Sequence, residues 1–111
     1  MKRTLAPILL LTLLFPSLVY GETMDDLVKR DGIHYKKFTE VPFTGKTTGE
    51  IQTTYKDGKI EGPYERYYKK GQLREKGTYK DGKRDGPYVW YHSNGQLKEK
   101  GNYKDGVEMS N

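Results

Sequence analysis

Basic side chains close to tyrosines are the residues of this sequence best suited to bind a ligand. Cations beside aromatic rings bind anions such as phospholipid headgroups, acidic glycans or nucleic acid. The residues predicted to form this binding face are Arg66, Lys69, Lys70, Arg74, Lys76, Trp90, Lys98 and Lys100. The alternative is that the lysines keep an exposed sheet soluble and block pairing of its edge strands.

Residue patterns that support catalysis or metal binding are missing from the sequence. His34 and His92 are the only histidines, and their flanks lack the spacing of metal ligands. Glu75 and Glu99 are equivalent surface positions, whereas acid–base catalysis needs two carboxylates in an enclosed cleft. Ser93 has no nucleophile-elbow motif, and the absence of Cys excludes disulfides and thiol chemistry. We therefore predict a protein that is not an enzyme and has no metal or other cofactor.

A 24-residue repeat must position the basic and aromatic side chains. Residues 55–78 and 79–102 align without gaps, and 15 of the 24 aligned pairs are identical. A third copy starts at residues 103–106 and then stops, so residues 107–111 are assigned to a C-terminal tail. The repeat region, residues 55–106, therefore governs the fold prediction. The incomplete third copy leaves an open backbone ladder to which a protein strand can pair.

The repeat has the composition of β-hairpins. Asp-Gly and Asn-Gly tolerate the positive φ angles of tight hairpin turns, and Tyr, Trp, Val and Thr between them favour strands. The dipeptides are Asp57-Gly58, Asp81-Gly82, Asp105-Gly106 and Asn94-Gly95. We predict strands near 63–69, 72–80, 87–93 and 96–104. The predicted fold is all-β, a single-layer antiparallel meander in which each repeat contributes one hairpin.

Two-residue turns at Lys70-Gly71 and Asn94-Gly95 set the predicted register. The predicted pairs are Tyr68–Leu73, Arg66–Glu75 and Tyr64–Gly77 in the first repeat, and Ser93–Gln96, His92–Leu97, Trp90–Glu99 and Tyr88–Gly101 in the second. In this register a cation neutralises Glu75, and each tyrosine ring covers a glycine and is buried without a second sheet. Proline cannot donate to a ladder, so we expect Pro63 and Pro87 at strand starts or bulges.

These repeated residues resemble the variant MORN repeat, and bacterial proteins that carry it are often labelled YwqK-family antitoxins. The residues that fit its pattern are Tyr55, Gly58, Gly62, Tyr64, Tyr67, Gly71, Leu73 and Gly77, and then Tyr79, Gly82, Gly86, Tyr88, Tyr91, Gly95, Leu97 and Gly101. The segment 42–46 also resembles the stretch that precedes such repeats. The resemblance covers about residues 42–106 and implies a twisted single-layer sheet used for binding or scaffolding.

The first 21 residues have the features of a secretory signal peptide. Lys2 and Arg3 precede an apolar run, and Val19 and Gly21 are small enough for cleavage after Gly21. The alternative is a retained membrane anchor, which needs about 20 apolar residues, more than this run has. We therefore expect an exported protein that is periplasmic or secreted, without a membrane span after cleavage.

Residues 22–54 are less regular and are predicted to form an N-terminal cap with the strands that lead into the repeats. Thr23 and Asp26 can cap a helical turn over Met24 to Lys29. The preferred alternative is a hairpin about Asp31-Gly32. A cap of this kind covers the apolar edge of a solenoid.

Composition limits the function classes. A chain of 111 residues with 33% hydrophobic residues forms one small domain without a deep aliphatic core. Its net charge of +5 arises in residues 55–102, which hold 12 basic and 7 acidic residues. We predict an exported, non-catalytic binding or scaffold module that contacts a protein or an anionic envelope surface, lipid or glycan. Export disfavours nucleic acid. The alternatives are an antitoxin or immunity-type protein that neutralises a partner toxin, and a small hydrolase.

Overall fold

The computed structural model describes residues 22–110, and the predicted signal peptide lies outside the described residues. Within this range no helix is long and apolar enough to cross a membrane. The elements are a 3-10 turn (Met24–Asp26) and the strands β1 (Leu27–Arg30), β2 (Ile33–Lys36), β3 (Gly45–Lys46), β4 (Ile51–Lys56), β5 (Lys59–Tyr67), β6 (Leu73–Lys80), β7 (Lys83–Arg84), β8 (Gly86–Tyr91), β9 (Leu97–Lys104) and β10 (Val107–Glu108).

Eight of these strands form one antiparallel sheet. Its spatial order is β10-β9-β8-β6-β5-β4-β3, and β7 pairs with β6 just before β8. Strands β1 and β2 form a separate hairpin. Successive strands of the repeats are therefore neighbours in space, which confirms the predicted all-β, antiparallel, single-layer meander.

Four hairpins turn at an Asp-Gly dipeptide. The four aspartates have φ between 49° and 52°, and the glycines that follow them have φ between 80° and 85°. Positive φ at both central residues is the type I′ geometry that matches the twist of paired strands. The dipeptides are Asp31-Gly32, Asp57-Gly58, Asp81-Gly82 and Asp105-Gly106. The predicted tight turns at the three Asp-Gly dipeptides of the repeats and the preferred N-terminal hairpin are thus confirmed.

The turn between β5 and β6 differs from its prediction. Gly71 donates a backbone hydrogen bond to the Tyr68 carbonyl (2.8 Å), and Gly71 has a φ of 100° whereas Lys70 does not have positive φ. The turn is therefore a three-residue loop closed by a left-handed glycine, and not a two-residue turn. A bulge compensates for the extra residue, so Tyr67 rather than Tyr68 lies opposite Leu73.

Strands β8 and β9 repeat this departure. Gly95 donates to the His92 carbonyl (2.9 Å), and Tyr91 rather than His92 lies opposite Leu97. The predicted pairs Ser93–Gln96 and His92–Leu97 were wrong for the same reason as Tyr68–Leu73, because Asn94-Gly95 is not a type I′ turn. Beyond the bulges the register is as predicted, with the pairs Arg66–Glu75, Tyr64–Gly77, Trp90–Glu99 and Tyr88–Gly101.

Both prolines lie where a missing N–H donor is tolerated. Pro63 lies within β5 at the point where the register with β4 shifts between Thr53 and Tyr55. Pro87 is the second residue of β8, next to the interruption between β7 and β8. The prediction of strand starts or bulges is confirmed, although β5 begins four residues before the predicted boundary at 63.

The N-terminal residues pack around Tyr55, which is fully buried. Leu27 and Phe43 form a core with it, and Met24 and Ile60 pack against this core. The Tyr55 hydroxyl also donates to the Met24 sulfur (2.9 Å). The preferred hairpin is present, and of the alternative helical turn over Met24 to Lys29 only a 3-10 turn at Met24–Asp26 with the Thr23–Asp26 capping box forms, because Leu27 to Lys29 belong to β1. This segment covers the first edge of the repeats.

Residues 43–45 have the same backbone hydrogen bonding as the start of a repeat. The N–H of Gly58 donates to the Phe43 carbonyl (2.7 Å), just as those of Gly82 and Gly106 donate to Ile60 and Arg84 (2.9 Å each). Phe43 thus makes the backbone contact that Ile60 and Arg84 make one and two repeats later. The meander therefore begins with a partial repeat unit that the N-terminal core covers.

Candidate functional site

Cross-strand pairing assigns the repeat residues to two opposite faces of the sheet. One row across the sheet contains Arg66, Glu75, Trp90 and Glu99. The neighbouring row contains Glu65, Lys76, Val89 and Lys100. Adjacent residues of a strand point to opposite faces, so these two rows do as well. We call the first the aromatic face, since it holds Tyr64, Tyr79, Tyr88, Trp90 and Tyr103, and the second the basic face.

The eight residues predicted to form one binding face are divided between these surfaces. Arg66 and Trp90 lie on the aromatic face, and Lys69 and Lys70 lie in the exposed β5–β6 loop. Lys76 and Lys100 lie on the basic face, whereas Arg74 and Lys98 lie at the bulges of β6 and β9. All four are exposed, and the Arg74 guanidinium lies 5.3 Å from the centre of the Tyr68 ring. The structure therefore does not bring the predicted cations and rings onto one surface, because strand alternation separates them.

Tyr88 is the centre of the aromatic face and is only 1% exposed. Its ring centroid lies 4.8 Å from that of Trp90 and 5.9 Å from that of Tyr103. The ring lies directly over Gly77, where any Cβ atom would collide with it. A tyrosine therefore covers a glycine as predicted, but the covered glycine is Gly77 on the preceding strand and not Gly101.

A buried carboxylate lies beneath these rings. Glu75 is 6% exposed and accepts a hydrogen bond from the Tyr88 hydroxyl (3.1 Å). Its cation is Arg84, whose guanidinium lies 4.0 Å from the carboxylate and 4.8 Å above the Tyr88 ring. The predicted cation, Arg66, lies opposite Glu75 in the register, but the ion pair that the structure shows is with Arg84. Arg84 was missed because the first repeat has Ile60 at its position.

Two phenols of this face, those of Tyr64 and Tyr88, have raised pKa values, which favours their neutral form. Burial raises the pKa of Tyr64 to about 12, and the nearby Glu75 carboxylate adds to the increase. Burial likewise raises the pKa of Tyr88, with further contributions from Tyr79 and Glu75. Neutral rings around a paired carboxylate stabilise the sheet. Among residues 22–110, no three His, Asp or Glu side chains come together as metal ligands would.

The outer side of β9 is incompletely covered. The short strand β10 pairs only with Lys104 and Tyr103, and Met109 adds one hydrogen bond to the Asn102 carbonyl (2.7 Å). Within residues 22–110, no strand pairs with the outer side of β9 over residues 97–101. We call this uncovered stretch of backbone the terminal edge. Because the Asn102 carbonyl points outward, the backbone groups of Lys100, two residues earlier, point outward as well. Such an edge is a template for another strand.

The residues of the terminal edge are the repeat counterparts of the β6 residues that β8 covers. Glu99 and Gly101 are the counterparts of Glu75 and Gly77, one repeat later. Glu108 stands at the repeat position of Arg84, and its carboxylate lies beside Gly101, 2.7 Å from where a Cβ would be. A shallow depression of about 220 Å³ lies here, lined by Lys100, Gly101, Asn102, Glu108 and Met109.

Apolar side chains are exposed around the terminal edge. Leu97, Val107 and Met109 are 52%, 68% and 49% exposed, whereas Leu73, the counterpart of Leu97, is only partly exposed. Leu97 and Met109 lie near the two ends of residues 97–101, and Val107 lies farther along β9, opposite Lys104, so these are separate exposed groups and not one patch. The sequence signal for this site was the incomplete third repeat, which predicted an open ladder.

Comparison with known proteins identifies the repeats. A family model described as the MORN repeat variant matches residues 60–81 and 84–105, two segments that start 24 residues apart. This match confirms the predicted resemblance for the two adjacent repeats, but it does not extend to the YwqK antitoxin label. All-β repeats of this type are typically non-catalytic and suggest a binding or scaffold module. No curated protein and no solved structure matches the chain.

Proposed function

We propose that this protein is an exported, non-catalytic binding module whose terminal edge pairs with a strand of a partner protein. The observation that carries the proposal is the outward-facing backbone of β9 over residues 97–101, with exposed Leu97 at one end and exposed Met109 beside the other. Strand addition obtains affinity from main-chain hydrogen bonds and specificity from the alternate side chains. An uncovered edge with exposed apolar neighbours supports both contributions.

A proline at Lys100 tests this proposal. Lys100 lies opposite Val89, and its N–H points away from β8, so Lys100→Pro removes only a donor of the terminal edge. We expect the mature chain, residues 22–111, to capture one stoichiometric protein from an envelope extract. Lys100→Pro should reduce capture at least about tenfold, as expected for a blocked ladder.

The matched control is Lys100→Ala, which removes the same side chain and keeps the N–H donor. We expect this variant to retain capture, and circular dichroism should show that both variants fold. Equal capture by Lys100→Pro and the parent chain would contradict strand addition at this edge. An antitoxin or immunity-type role is one form of the proposal, and in that case the captured protein is toxic when expressed alone.

Export is the second part of the proposal, and residues 1–21 support it by their sequence. We expect the protein in the periplasmic or extracellular fraction, with Glu22 as its first residue. N-terminal sequencing of the fractionated protein measures both properties. A full-length chain confined to the cytoplasm would contradict export.

The basic face supports a second candidate function, which is contact with an anionic envelope surface. Lys56 lies directly opposite Lys59, and Lys80 lies opposite Lys83. Like charges in direct opposition destabilise a sheet, so an anionic surface that neutralises them would be bound favourably. We expect binding to vesicles of anionic phospholipid that weakens as salt increases.

Zwitterionic vesicles are the control for this second function. The double variant Lys56→Gln, Lys80→Gln should reduce binding to the anionic vesicles, because it removes one cation from each opposed pair. Binding that is equal on both kinds of vesicle, or equal for the variant and the parent chain, would contradict this function.

A further inference from the structure

We infer that the terminal edge selects a partner strand in which an aromatic, an acidic and a basic residue follow one another. The inference rests on the proposed function, since it names the chemistry of the strand that the edge receives. The segment Tyr64-Glu65-Arg66 of this chain has that pattern and shows which side chains stand opposite the repeated Glu-Lys-Gly residues of β6.

Inside the protein, β6 receives this segment on the edge that corresponds to the β8-facing edge of β9. The other edge of β6, the counterpart of the terminal edge, receives the uncharged residues Val89 and Trp90. Tyr64 lies opposite Gly77, and Arg66 lies opposite Glu75 on the same face. Glu65 lies opposite Lys76 on the other face, and their charged groups are 3.9 Å apart. The three residues thus meet a glycine, a carboxylate and an ammonium group in register.

Strand β9 carries the same three receiving groups. Leu97-Lys98-Glu99-Lys100-Gly101 repeats Leu73-Arg74-Glu75-Lys76-Gly77 with a single change of one cation for another. Strand β8 pairs with one side of β9 and places Trp90 opposite Glu99 and Val89 opposite Lys100. The opposite side of β9, the terminal edge, is the one that remains open.

Charge on the aromatic face favours a cation in the partner strand. Glu75 has Arg84 beside it, whereas Glu108 stands at the repeat position of Arg84 and has its carboxylate beside Gly101, two residues from Glu99 on the same face. Both carboxylates are exposed, and no ion pair within residues 22–110 joins either of them to a cation. An arginine opposite Glu99 would also face Glu108, so it would bind two carboxylates where Trp90 binds none.

Charge on the basic face favours an acid beside that cation. Lys98 and Lys100 are exposed, and the residue opposite Lys100 within the sheet is the uncharged Val89. A carboxylate one residue before the partner's cation would lie opposite Lys100, as Glu65 lies opposite Lys76. The aromatic residue before it would cover Gly101, next to Met109.

Two synthetic peptides test the inference. The first has the sequence of residues 61–68, Glu-Gly-Pro-Tyr-Glu-Arg-Tyr-Tyr, and the second exchanges its central Glu and Arg. Composition and net charge are equal, so only the order of the charges differs. Trp90 is the only tryptophan of the protein and lies opposite Glu99, so its fluorescence reports binding to the mature chain. We expect the exchanged peptide to bind about tenfold more weakly, because each of its charges would face a like charge.

A charge-exchanged protein provides the reciprocal test. The double variant Glu99→Lys, Lys100→Glu also keeps the net charge, and we expect it to prefer the exchanged peptide. If both peptides bind each protein equally, strand addition is retained but the inferred pattern is overturned. If neither peptide binds, the inferred pattern is also overturned, and the capture experiment with Lys100→Pro decides the proposed function separately.

Discussion

Strands β6 and β9 have nearly the same sequence and very different surroundings. On β6, Glu75 is 6% exposed beneath Tyr88 and Arg84, and Gly77 lies against the Tyr88 ring. On β9, Glu99 is exposed, and the atoms nearest to Gly101 belong to the Glu108 side chain and the edge of the Tyr103 ring. The difference arises because β8 pairs with β6, whereas within residues 22–110 only the short strand β10 pairs with the outer side of β9.

This comparison shows how a repeat unit of a single-layer sheet is stabilised. Its own residues supply the strand and the turn, but the next repeat supplies the ring and the cation that cover them. The same residue is therefore structural in one copy and available for binding in the next. In solenoids this dependence on the neighbouring unit is general, and it is why a terminal unit has special properties.

The largest expected contrast is between the two glycines. Gly77→Ala should destabilise the protein by at least about 3 kcal/mol, because its Cβ would collide with a ring that has no free space. Gly101→Ala should cost less than about 1 kcal/mol, because the atom it meets is the end of the flexible Glu108 side chain. Urea unfolding followed by circular dichroism measures both. Equal losses would show that β9 is covered as β6 is.

A smaller contrast is expected between the two glutamates. Glu75→Ala leaves Arg84 without its carboxylate and the Tyr88 hydroxyl without its acceptor, which should cost about 2 kcal/mol. Glu99→Ala should change the free energy of unfolding by less than about 0.5 kcal/mol, as exposed positions do. Thermal unfolding of the two variants provides the measurement. A Glu99→Ala loss as large as that of Glu75→Ala would refute the distinction.

A contrast that appears only at alkaline pH concerns the covered ring of Tyr64. The pKa of Tyr64 is about 12 in the folded protein and about 10 in an unfolded chain, so the unfolded chain loses the proton first. Stability from this group is complete below pH 10 and decreases as the pH rises from about 10 to about 12. For one such group the decrease approaches about 1.4 kcal/mol per pH unit. Urea midpoints measured across this range should fall less steeply for Tyr64→Phe. Identical slopes would mean that the Tyr64 hydroxyl is not buried.

Regular features were predictable where local chemistry decides them. Asp57-Gly58 and its counterparts form type I′ turns because few dipeptides accept positive φ twice, and Arg66–Glu75 was placed opposite by the repeat pattern. The pair Tyr68–Leu73 failed because Lys70 keeps negative φ, which lengthens the turn by one residue. One extra residue in the turn shifts the pairing of the two strands only between the turn and the bulge that compensates for it.

The candidate site was less predictable, because it depends on neighbours that are distant in sequence. Arg66 and Lys76 were assigned to one surface, although their places in the register put them on opposite faces. The role of Arg84 was not predicted, since its partner Glu75 is on another strand and the first repeat has Ile60 in its place. When the 24-residue offset is applied to the residues after 103, Glu108 falls at the repeat position of Arg84, and this substitution replaces the cation with a carboxylate.

The sequence by itself determined the strands, the Asp-Gly turns and the order of the hairpins. These depend on backbone preferences and on a period that the chain repeats. Only the tertiary structure decided which glycine Tyr88 covers, which cation pairs with Glu75 and which copy of the repeat stays open. Those outcomes depend on contacts between neighbouring strands. The residues of β6 and β9 are nearly identical, so they cannot by themselves specify that a long strand pairs with one and only a short strand with the other.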